Sequence, residues 1–491
     1  MAESPITVTG GSGGIGARLD DMRTTAQALS SLTDELQQKA TTAAGIGFTP
    51  DLVSSALLSP LTAATAEEKI AQAAGELLLF ATEAGVTAVF LQGAATAYET
   101  VDKALAALAE RGANTVTFVA GAAAIPLLLA GASAVTDDIL VTFVTSGGSV
   151  DATQKALAAQ LRALNVYAGE HPGVVDLIAK GAPGLVSGLT LPFAAAPGGL
   201  AALTALTGVP WPPRTYEQAV QSIIALGHRV RAFDDGGPIT PDDLFVPPRP
   251  VGAMITPRSV SDLMKASAQL DASDGLDGTQ NAYARIRVTK VPGDPPHYVV
   301  QIPSTQNWSP DGGATPNDLT ADVQEMTNRQ TALSTAVVAA MHKAGINPND
   351  PVMLEGFSLG GITAGQLAAD PGLPFNVTHV VTAGSPIANF DIPPTTKVLS
   401  LESNEDPVAR LDGNGNPDSA NWTTVHAPAP TLPGESGPPG IAGAHNADRY
   451  AKIADEATQA GNVSVDDWQK SASGFFGPGG VSTDYGAQRK G

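Results

Sequence analysis

A serine flanked by glycines lies between an apolar segment and a segment that favours helix. Ser358 is the centre of Gly-Phe-Ser-Leu-Gly at residues 356–360, with a predicted strand at 351–355 and a predicted helix at 362–369. In this strand–turn–helix context the turn raises the serine hydroxyl above the sheet, at the helix N-terminus. The helix dipole and the N–H of Leu359 would there face a developing oxyanion. The pattern predicts a serine nucleophile, and a glycine-rich packing turn is the alternative.

The acid expected after such a nucleophile follows a later predicted strand. Residues 398–401 form that strand, and Asp406 comes a few residues past its carboxyl end. This is the position in which the acid of a Ser–acid–His triad is expected. Glu402 and Glu405 are local alternatives for the same role.

The histidine of a triad in this chain order must follow the acid. Of the seven histidines only His426 and His445 follow Asp406. His426 ends a predicted strand at 422–425, whereas His445 lies in a loop that opens the final predicted helix. We therefore expect His445 to accept the proton of Ser358 while the acid holds the imidazole in the required tautomer.

A second oxyanion donor is expected in the loop that follows an earlier strand. Residues 298–302 are predicted to form this strand, and the polar segment 303–308 follows it. The backbone N–H of Thr305 or of Gln306 is the candidate donor. Together with a triad, such a loop would support ester hydrolysis through an acyl-enzyme.

The elements that would position these residues alternate between strand and helix. This alternation begins beyond residue 240 and indicates a mostly parallel sheet covered by helices. Helices are predicted over 320–344 and 359–369. The predicted strands cover residues 284–291, 298–302, 352–355, 377–382 and 398–401.

Upstream of residue 240 the sequence favours helix throughout. Apolar residues at spacings of three, four and seven predict amphipathic helices that pack as an antiparallel pair. A turn-rich segment at about 234–250 predicts a domain boundary. The predicted organisation is a helical hairpin at 1–112, an Ala/Gly-rich helical region at 113–240, a catalytic α/β domain at 241–475 and a flexible tail at 476–491.

Residues 9–16 match the dinucleotide-binding pattern Gly-x-Gly-x-x-Gly. Such a site also needs a second strand that ends in an acidic residue about 20 positions further on. Residues 26–40 instead continue an amphipathic helix. We interpret the glycines as a flexible entry to the first helix and predict neither a nucleotide cofactor nor a metal site in the chain.

The composition excludes several classes of function. The 491 residues carry a formal net charge of −21 and include no Cys. The acidic balance disfavours binding to a phosphate backbone, so no nucleic-acid partner is predicted. The absence of Cys excludes a disulfide framework, a thiolate zinc site and a Cys nucleophile, and the nucleophile must therefore be a hydroxyl. The first residues lack the pattern of a Sec-type signal peptide.

Two stretches, at 112–136 and 181–213, contain no charged side chain. Each is long enough to span a bilayer. Their Ala, Gly and Thr content and their prolines favour burial against other helices, and membrane contact is the alternative. If they cover the mouth of the site or present it to lipid, acyl esters or lipids become the favoured substrates.

Residues from about 283 to 460 resemble α/β-hydrolases of the triacylglycerol-lipase type, and especially a group of actinobacterial hydrolases of poorly defined substrate. The resemblance implies that Ser358, Asp406 and His445 form the triad and that Thr305 lies in the oxyanion loop. The matching segments are 302–306, 317–322, 356–361, 382–386, 406–411 and His445 with Tyr450 five residues later.

The N-terminal 112 residues resemble the helical-hairpin substrates of type VII secretion in actinobacteria. Tyr98 and Asp102 match the Tyr-x-x-x-Asp/Glu export signal of those proteins, whereas their Trp-x-Gly turn is missing. The resemblance implies export without a Sec signal peptide, and a cytoplasmic location is the alternative.

Taken together, the residues predict a serine esterase or lipase with an α/β-hydrolase domain and an all-α N-terminal half. Its substrate would be a small-molecule or lipid ester. The competing interpretation is an exported interaction protein, or a membrane-active protein, whose hydrolase scaffold is degenerate. Hydrolysis of short esters distinguishes these interpretations.

Overall fold

The structure of the chain is a computed structural model. It describes residues 6–46, part of 65–96, 182–189, 199–229, 232–250, 252–273, 283–308, 313–435, 439 and 441–489. The described residues divide into two compact units. One unit lies within Met1–Gly14 and Ala109–Gly491, and the other lies within Ile15–Leu108.

A mixed sheet of eight strands forms the centre of the larger unit. The strands are β1 (Thr7–Gly10), β2 (Ala284–Val291), β3 (His297–Ile302), β4 (Pro351–Phe357), β5 (Asn376–Ala383), β6 (Lys397–Ser403), β7 (Trp422–Ala427) and β8 (Val481–Ala487). Their order is β1-β7-β6-β5-β4-β3-β2-β8. Neighbours from β3 to β7 are parallel, whereas β1, β2 and β8 pair antiparallel at the two edges. The predicted mostly parallel sheet is confirmed in this central part.

The parallel strands are rich in Val and Leu because both faces of the sheet are buried. Along β3, Val300 belongs to one hydrophobic core and Val299 to the other. Along β4, Leu354 and Met353 divide in the same way. Since side chains alternate along a strand, this division requires helices on both faces.

Helices cover the sheet on both sides in a three-layer α/β/α arrangement. Apart from the helical residues between 65 and 96, the helices that the structure describes are α1 (Ile15–Ile46), α2 (Ala182–Leu189), α3 (Gly199–Thr207), α4 (Tyr216–His228), α5 (Val260–Ser273), α6 (Leu319–Glu325), α7 (Ala332–Lys343), α8 (Leu359–Ala369), α9 (Ile441–Ala444), α10 (Ala447–Gln459) and α11 (Val463–Ser471). Apolar side chains of α7 and α8 pack into one core, and those of α5, α10 and α11 pack into the other.

The predicted helix at 320–344 is two helices, α6 and α7. Asn328 adopts φ 58° between them, a left-handed conformation that ends a helix. Thr331 then caps α7, because its hydroxyl accepts the Ser334 N–H at 3.1 Å. The 3.6-residue periodicity continues through the break, and it therefore does not reveal the break.

The predicted domain boundary near residue 240 does not divide compact units. Ile239 and Leu244 are buried in the core that contains α7 and α8. Phe245 forms a backbone bridge to Gly486 beside β8. The turn-rich sequence there follows the surface of the sheet unit and is held by these buried side chains.

The prediction of a flexible tail at 476–491 is wrong for residues 481–487. These residues form β8, which pairs with β2 along its length. Asp484 in β8 makes ion pairs with Arg285 and Arg287, whose side chains are fully buried. The segment is thus an edge strand fixed by buried charge.

The prediction of an all-α N-terminal half is wrong at its start. Residues Thr7–Gly10 form β1, which pairs with β7 from Thr7 opposite His426 to Gly10 opposite Thr423. A four-residue strand has too little alternation to be distinguished in the sequence.

The glycines after β1 form a packed turn, and our interpretation of them as a flexible entry is wrong. Gly11 N–H donates to the carbonyls of Ser419 at 2.8 Å and Trp422 at 2.7 Å. Gly10 has φ 69°, and a Cβ there would lie 2.1 Å from the Trp422 carbonyl oxygen. Gly13 N–H donates to Ser464 Oγ at 2.9 Å. Glycine is required here for close packing and for its backbone angles.

The smaller unit contains α1 and further helical residues between 65 and 96. The helix predicted over residues 26–40 lies within α1. The predicted export residues Tyr98 and Asp102 lie outside the described residues, as does the stretch 112–136. Of the stretch 181–213, residues 182–189 and 199–213 are described, and they include α2 and α3. Within the part of the chain that the structure describes, none of the helices is long and apolar enough to cross a membrane.

Candidate active site

Ser358 occupies a sharp turn between β4 and α8. Its backbone has φ 55° and ψ −124°, and such a positive φ is strained for any residue except glycine. A Cβ on Gly356 would lie 2.0 Å from the carbonyl carbon of Gly360, and a Cβ on Gly360 would lie 2.3 Å from the Ile302 carbonyl oxygen. Both flanking glycines are therefore required by close backbone contacts.

The turn is hydrogen-bonded to the neighbouring strand through its backbone, and the serine hydroxyl does not cap the helix. Ser358 N–H donates to the Ala383 carbonyl at the end of β5, at 2.9 Å. The Ser358 side chain makes no capping hydrogen bond to α8. The residue is 4% exposed, so its hydroxyl lies in a largely desolvated position.

The buried Asp406 and the half-buried His445 form a pair at the same edge of the sheet. His445 Nδ1 lies 2.7 Å from Asp406 Oδ2. Tyr450 Oη donates to the same Oδ2 at 2.7 Å, and the Val408 N–H donates to Oδ1 at 2.9 Å. Burial alone would raise the pKa of Asp406, but His445 and these hydrogen bonds outweigh it and hold the pKa below its ordinary value.

The imidazole of His445 lies beside the serine turn. Its ring centroid is 4.4 Å from that of Phe357, the residue that precedes Ser358. Gly384, at the end of β5, has φ 56°, and a Cβ there would lie 2.7 Å from Asp406 Oδ2 and 3.1 Å from His445 Nδ1. The structure therefore brings the predicted nucleophile, acid and base to one end of the parallel strands.

The alternative acids and the alternative histidine have other partners. His426 Nδ1 lies 3.3 Å from Glu402 Oε2. Glu405 Oε2 accepts the Ala429 N–H at 2.7 Å. The first contact joins β6 to β7 and the second joins the segments that follow these strands, so both glutamates have partners other than His445.

The loop after β3 approaches the N-terminus of α8, where Leu359 begins the helix. The close contact of Gly360 with Ile302 brings the start of this loop to the serine turn. Gln306 N–H, one of the two predicted donors, donates to the Asn317 carbonyl at 2.9 Å, so this candidate is corrected. Among the described residues Thr305 N–H has no acceptor, so of the two predicted donors it is the one that remains unpaired.

Two carboxylates that the sequence analysis did not select hold this loop from opposite sides. Thr305 Oγ1 donates to both oxygens of Asp322, at 2.9 and 3.1 Å. Asp271 Oδ1 lies 3.2 Å from the N–H nitrogen of Ser304 and 3.4 Å from Gln306 Nε2. Asp322 belongs to a segment of the lipase resemblance, whereas no local pattern distinguishes Asp271 at the end of α5.

Burial dominates the electrostatics of these carboxylates. It raises the pKa of Asp271 to about 6, although hydrogen bonds from Ser304 and attraction to His445 lower it. Burial raises the pKa of Asp322 to about 8 in spite of the Thr305 hydrogen bond. Perturbed carboxyl groups of this kind concentrate at functional sites.

A metal-ligand cluster at the described residues and a likeness to known proteins would each be a further indication of function. Among the described residues there is no group of three or more His, Asp or Glu side chains that could hold a metal ion. Comparison of the chain with protein-family models, curated proteins and solved structures finds no match. The case for a function therefore depends on the chemistry of the site itself.

Proposed function

We propose that this chain is a serine hydrolase of the α/β-hydrolase class that cleaves carboxylic esters. The observation that carries the proposal is the hydrogen-bonded Asp406–His445 pair beside a serine with φ 55° at a strand-to-helix turn. Such a turn serves to expose a nucleophile at the helix N-terminus. Because the Asp406 carboxylate is bound to Nδ1 of His445, Nε2 is the ring nitrogen that remains to act as the base.

Hydrolysis begins when His445 Nε2 accepts the proton of Ser358 Oγ and Oγ attacks the ester carbonyl carbon. The Nδ1–H donates to Asp406, which fixes the tautomer and stabilises the imidazolium. His445 then gives its proton to the leaving alcohol, and an acyl-enzyme remains. Water, activated by the same imidazole, releases the acid and regenerates the hydroxyl.

The tetrahedral oxyanion would accept hydrogen bonds from the N–H groups of Leu359 and Thr305. Leu359 is the first residue of α8, where N–H groups have no partner within the helix and the helix dipole favours negative charge. Donors fixed before the reaction stabilise charge without reorganisation, and loss of one typically costs ~10²–10³ in kcat.

Two exposed apolar side chains at the same edge support an acyl substrate. Trp308 follows the oxyanion loop and is 54% exposed, and Leu411 follows the triad acid and is 37% exposed. Apolar side chains in these positions suit an acyl or alkyl chain that extends from the reacting carbonyl.

The test is hydrolysis of short-chain p-nitrophenyl esters by the full chain. Ser358→Ala should lower kcat by at least about 10³-fold, because the covalent step is lost. Ser222→Ala is the matched control, since Ser222 is a buried serine in α4 that donates to the Gln218 carbonyl at 2.7 Å. Equal hydrolysis by the wild type and Ser358→Ala contradicts the proposal.

A further inference from the structure

On one side the oxyanion loop is held by hydrogen bonds to Asn317 and Leu319, at the start of α6. Gln306 N–H donates to the Asn317 carbonyl at 2.9 Å, and Asn317 Nδ2 donates to the Ser304 carbonyl at 2.6 Å. Leu319 N–H donates to the Asn307 carbonyl at 2.9 Å. These contacts hold the loop against the start of α6. None of them gives the Ser304 N–H a hydrogen-bond acceptor.

The other side of the loop is held by α5, an element that precedes the predicted catalytic strands. Asp271 Oδ1 accepts the Ser304 N–H at 3.2 Å and receives the Gln306 side-chain amide at 3.4 Å. These two residues flank Thr305, whose N–H has no acceptor among the described residues. One carboxylate oxygen thus contacts the residue before and the residue after the proposed donor.

We propose that Asp271 is a positioning residue that directs the Thr305 N–H toward the oxyanion formed at Ser358. The inference rests on the proposed hydrolase function. The Thr305 N–H belongs to the peptide between Ser304 and Thr305, whose carbonyl accepts from Asn317 Nδ2, whereas Asp271 holds the preceding peptide through the Ser304 N–H. Both contacts fix Ser304, so loss of the Asp271 contact would let this residue, and with it the Thr305 N–H, rotate. A donor must lie about 3 Å from the oxyanion to be effective, and a rotated peptide loses this geometry.

Asp271 acts through the loop, because its hydrogen bonds go to Ser304 and Gln306. His445 and Glu355 interact with Asp271 electrostatically. Glu355 is itself occupied by Ser267 Oγ and Gln301 Nε2, each at 2.8 Å. Of Asp271 and Glu355, Asp271 is therefore the one that contacts the oxyanion loop, and Asp322 contacts the same loop through the Thr305 hydroxyl.

The test compares an ester with its thionoester, in which sulfur replaces the carbonyl oxygen. Sulfur is a poor hydrogen-bond acceptor, so the ratio of the kcat/KM values for the oxygen and sulfur substrates measures stabilisation by the oxyanion donors. Asp271→Ala should lower kcat for the oxygen ester by about 10–100-fold and reduce this ratio by a similar factor. Asp271→Asn keeps an oxygen acceptor and should retain the ratio within about threefold.

The ratio separates positioning from a loss of folded protein, because a smaller active fraction lowers both rates equally. Asp350→Ala is the matched control: Asp350 Oδ2 accepts one N–H and one side-chain amide from Asn347, at 2.9 and 3.0 Å, at the opposite edge of the sheet. It should lower stability and leave the ratio unchanged. If Asp271→Ala does not fold, Asp271→Glu replaces it in the test, because the longer side chain displaces the accepting oxygen. This variant should also lower the ratio.

An unchanged ratio in both Asp271→Ala and Asp271→Glu overturns the inference and leaves the proposed hydrolase intact. A fall in both rates without a change in the ratio also overturns it, because the residue would then act on folding or on His445. If the wild type shows no hydrolysis that depends on Ser358, the proposed function and this inference fail together.

Discussion

At the scale of single residues, the proposed triad acid is held by three hydrogen bonds. Asp406 accepts hydrogen bonds from Tyr450, from the Val408 N–H and from His445. Tyr450 is itself buried, and burial together with Asp406 raises its pKa well above the ordinary value. The phenol therefore stays protonated and acts as a permanent donor to the carboxylate, in a position that also receives the Ser403 N–H at 3.2 Å.

Tyr450→Phe should lower kcat about tenfold with little change in KM. The variant removes one of the donors that orient Asp406, and hydrogen bonds to charged groups contribute about 1.5–3 kcal/mol. Steady-state kinetics on a short ester measures this effect. Tyr216→Phe is the control, because the Tyr216 hydroxyl donates to Met326 Sδ at 3.9 Å and makes no hydrogen bond to Asp406 among the described residues. Equal losses in the two variants would refute a role of Tyr450 at Asp406.

The candidate residues of the triad could be predicted because the evidence for them is local. The turn at Ser358 has a sequence signature, and chain order then limits the choice of Asp406 and His445. Asp271 could not be predicted in this way. Its contact with Ser304 joins residues 33 positions apart, and it follows from how α5 packs on β3 and not from any local pattern.

At the scale of elements, the turn after β5 determines whether the triad has room to form. Gly384 has φ 56° and lies against the Asp406 and His445 side chains. A Cβ there would also lie 3.0 Å from Tyr450 Oη. The absence of a side chain at Gly384 thus leaves the space that the Asp406 and His445 side chains occupy.

Gly384→Ala should abolish most of the ester hydrolysis and lower the free energy of unfolding. Two causes combine, since a positive φ strains alanine and the new Cβ overlaps Asp406. Gly345→Ala separates them, because Gly345 has φ 72° with open space around its Cα. It should cost about 1 kcal/mol of stability and leave kcat unchanged. Kinetics together with chemical unfolding measures both effects, and full activity in Gly384→Ala contradicts this description of the turn.

Edge strands were the elements that the sequence could not reveal. β1 has four residues and pairs with β7 more than 400 positions away, from Thr7 to His426. β8 includes Gly486 and follows a glycine-rich stretch that is typical of a tail. β1 is defined by its pairing with β7, and β8 by its pairing with β2 and by the ion pairs of Asp484. Neither strand carries a strong period of two.

Asp484→Asn should lower the free energy of unfolding by about 3 kcal/mol. Asp484 neutralises Arg285 and Arg287, whose side chains are fully buried, and removal of one partner leaves uncompensated buried charge. Denaturant titration measures the change. Asp455→Asn is the control, since Asp455 is exposed on α10. A similar small effect in both variants would mean that β8 contributes little to the sheet unit.

At the scale of the whole molecule, the acidic chain buries several carboxyl groups in the sheet unit. Glu355 in β4 and Glu325 in α6 are fully buried, and burial raises the pKa of each to about 8. The folded state therefore holds these protons when the unfolded chain, with a glutamate pKa near ~4.3, has released them. Their contribution to stability is complete below the unfolded pKa and is lost as the pH rises toward 8. Asp406 has the opposite sign, because its pKa is lowered and its contribution is lost in acid.

Glu355→Gln should reduce the pH dependence of stability between pH 5 and pH 8. Each buried carboxyl lowers the free energy of unfolding by up to about 1.4 kcal/mol per pH unit in this range, and the amide removes that term. Gln can still accept from Gln301 and contact Ser267. Urea unfolding at a series of pH values measures the slope. Glu456→Gln, on the exposed face of α10, should leave the slope unchanged, and an unchanged slope in Glu355→Gln would contradict the expected titration.

The most direct test of the central claim is active-site labelling of the full chain with a fluorophosphonate, followed by peptide mass spectrometry. A triad that activates Ser358 predicts one adduct per chain, on the peptide that contains Ser358. The adduct should be lost in Ser358→Ala and strongly slowed in His445→Ala and Asp406→Ala. Equal labelling of the wild type and Ser358→Ala, or an adduct on another serine, would contradict the account.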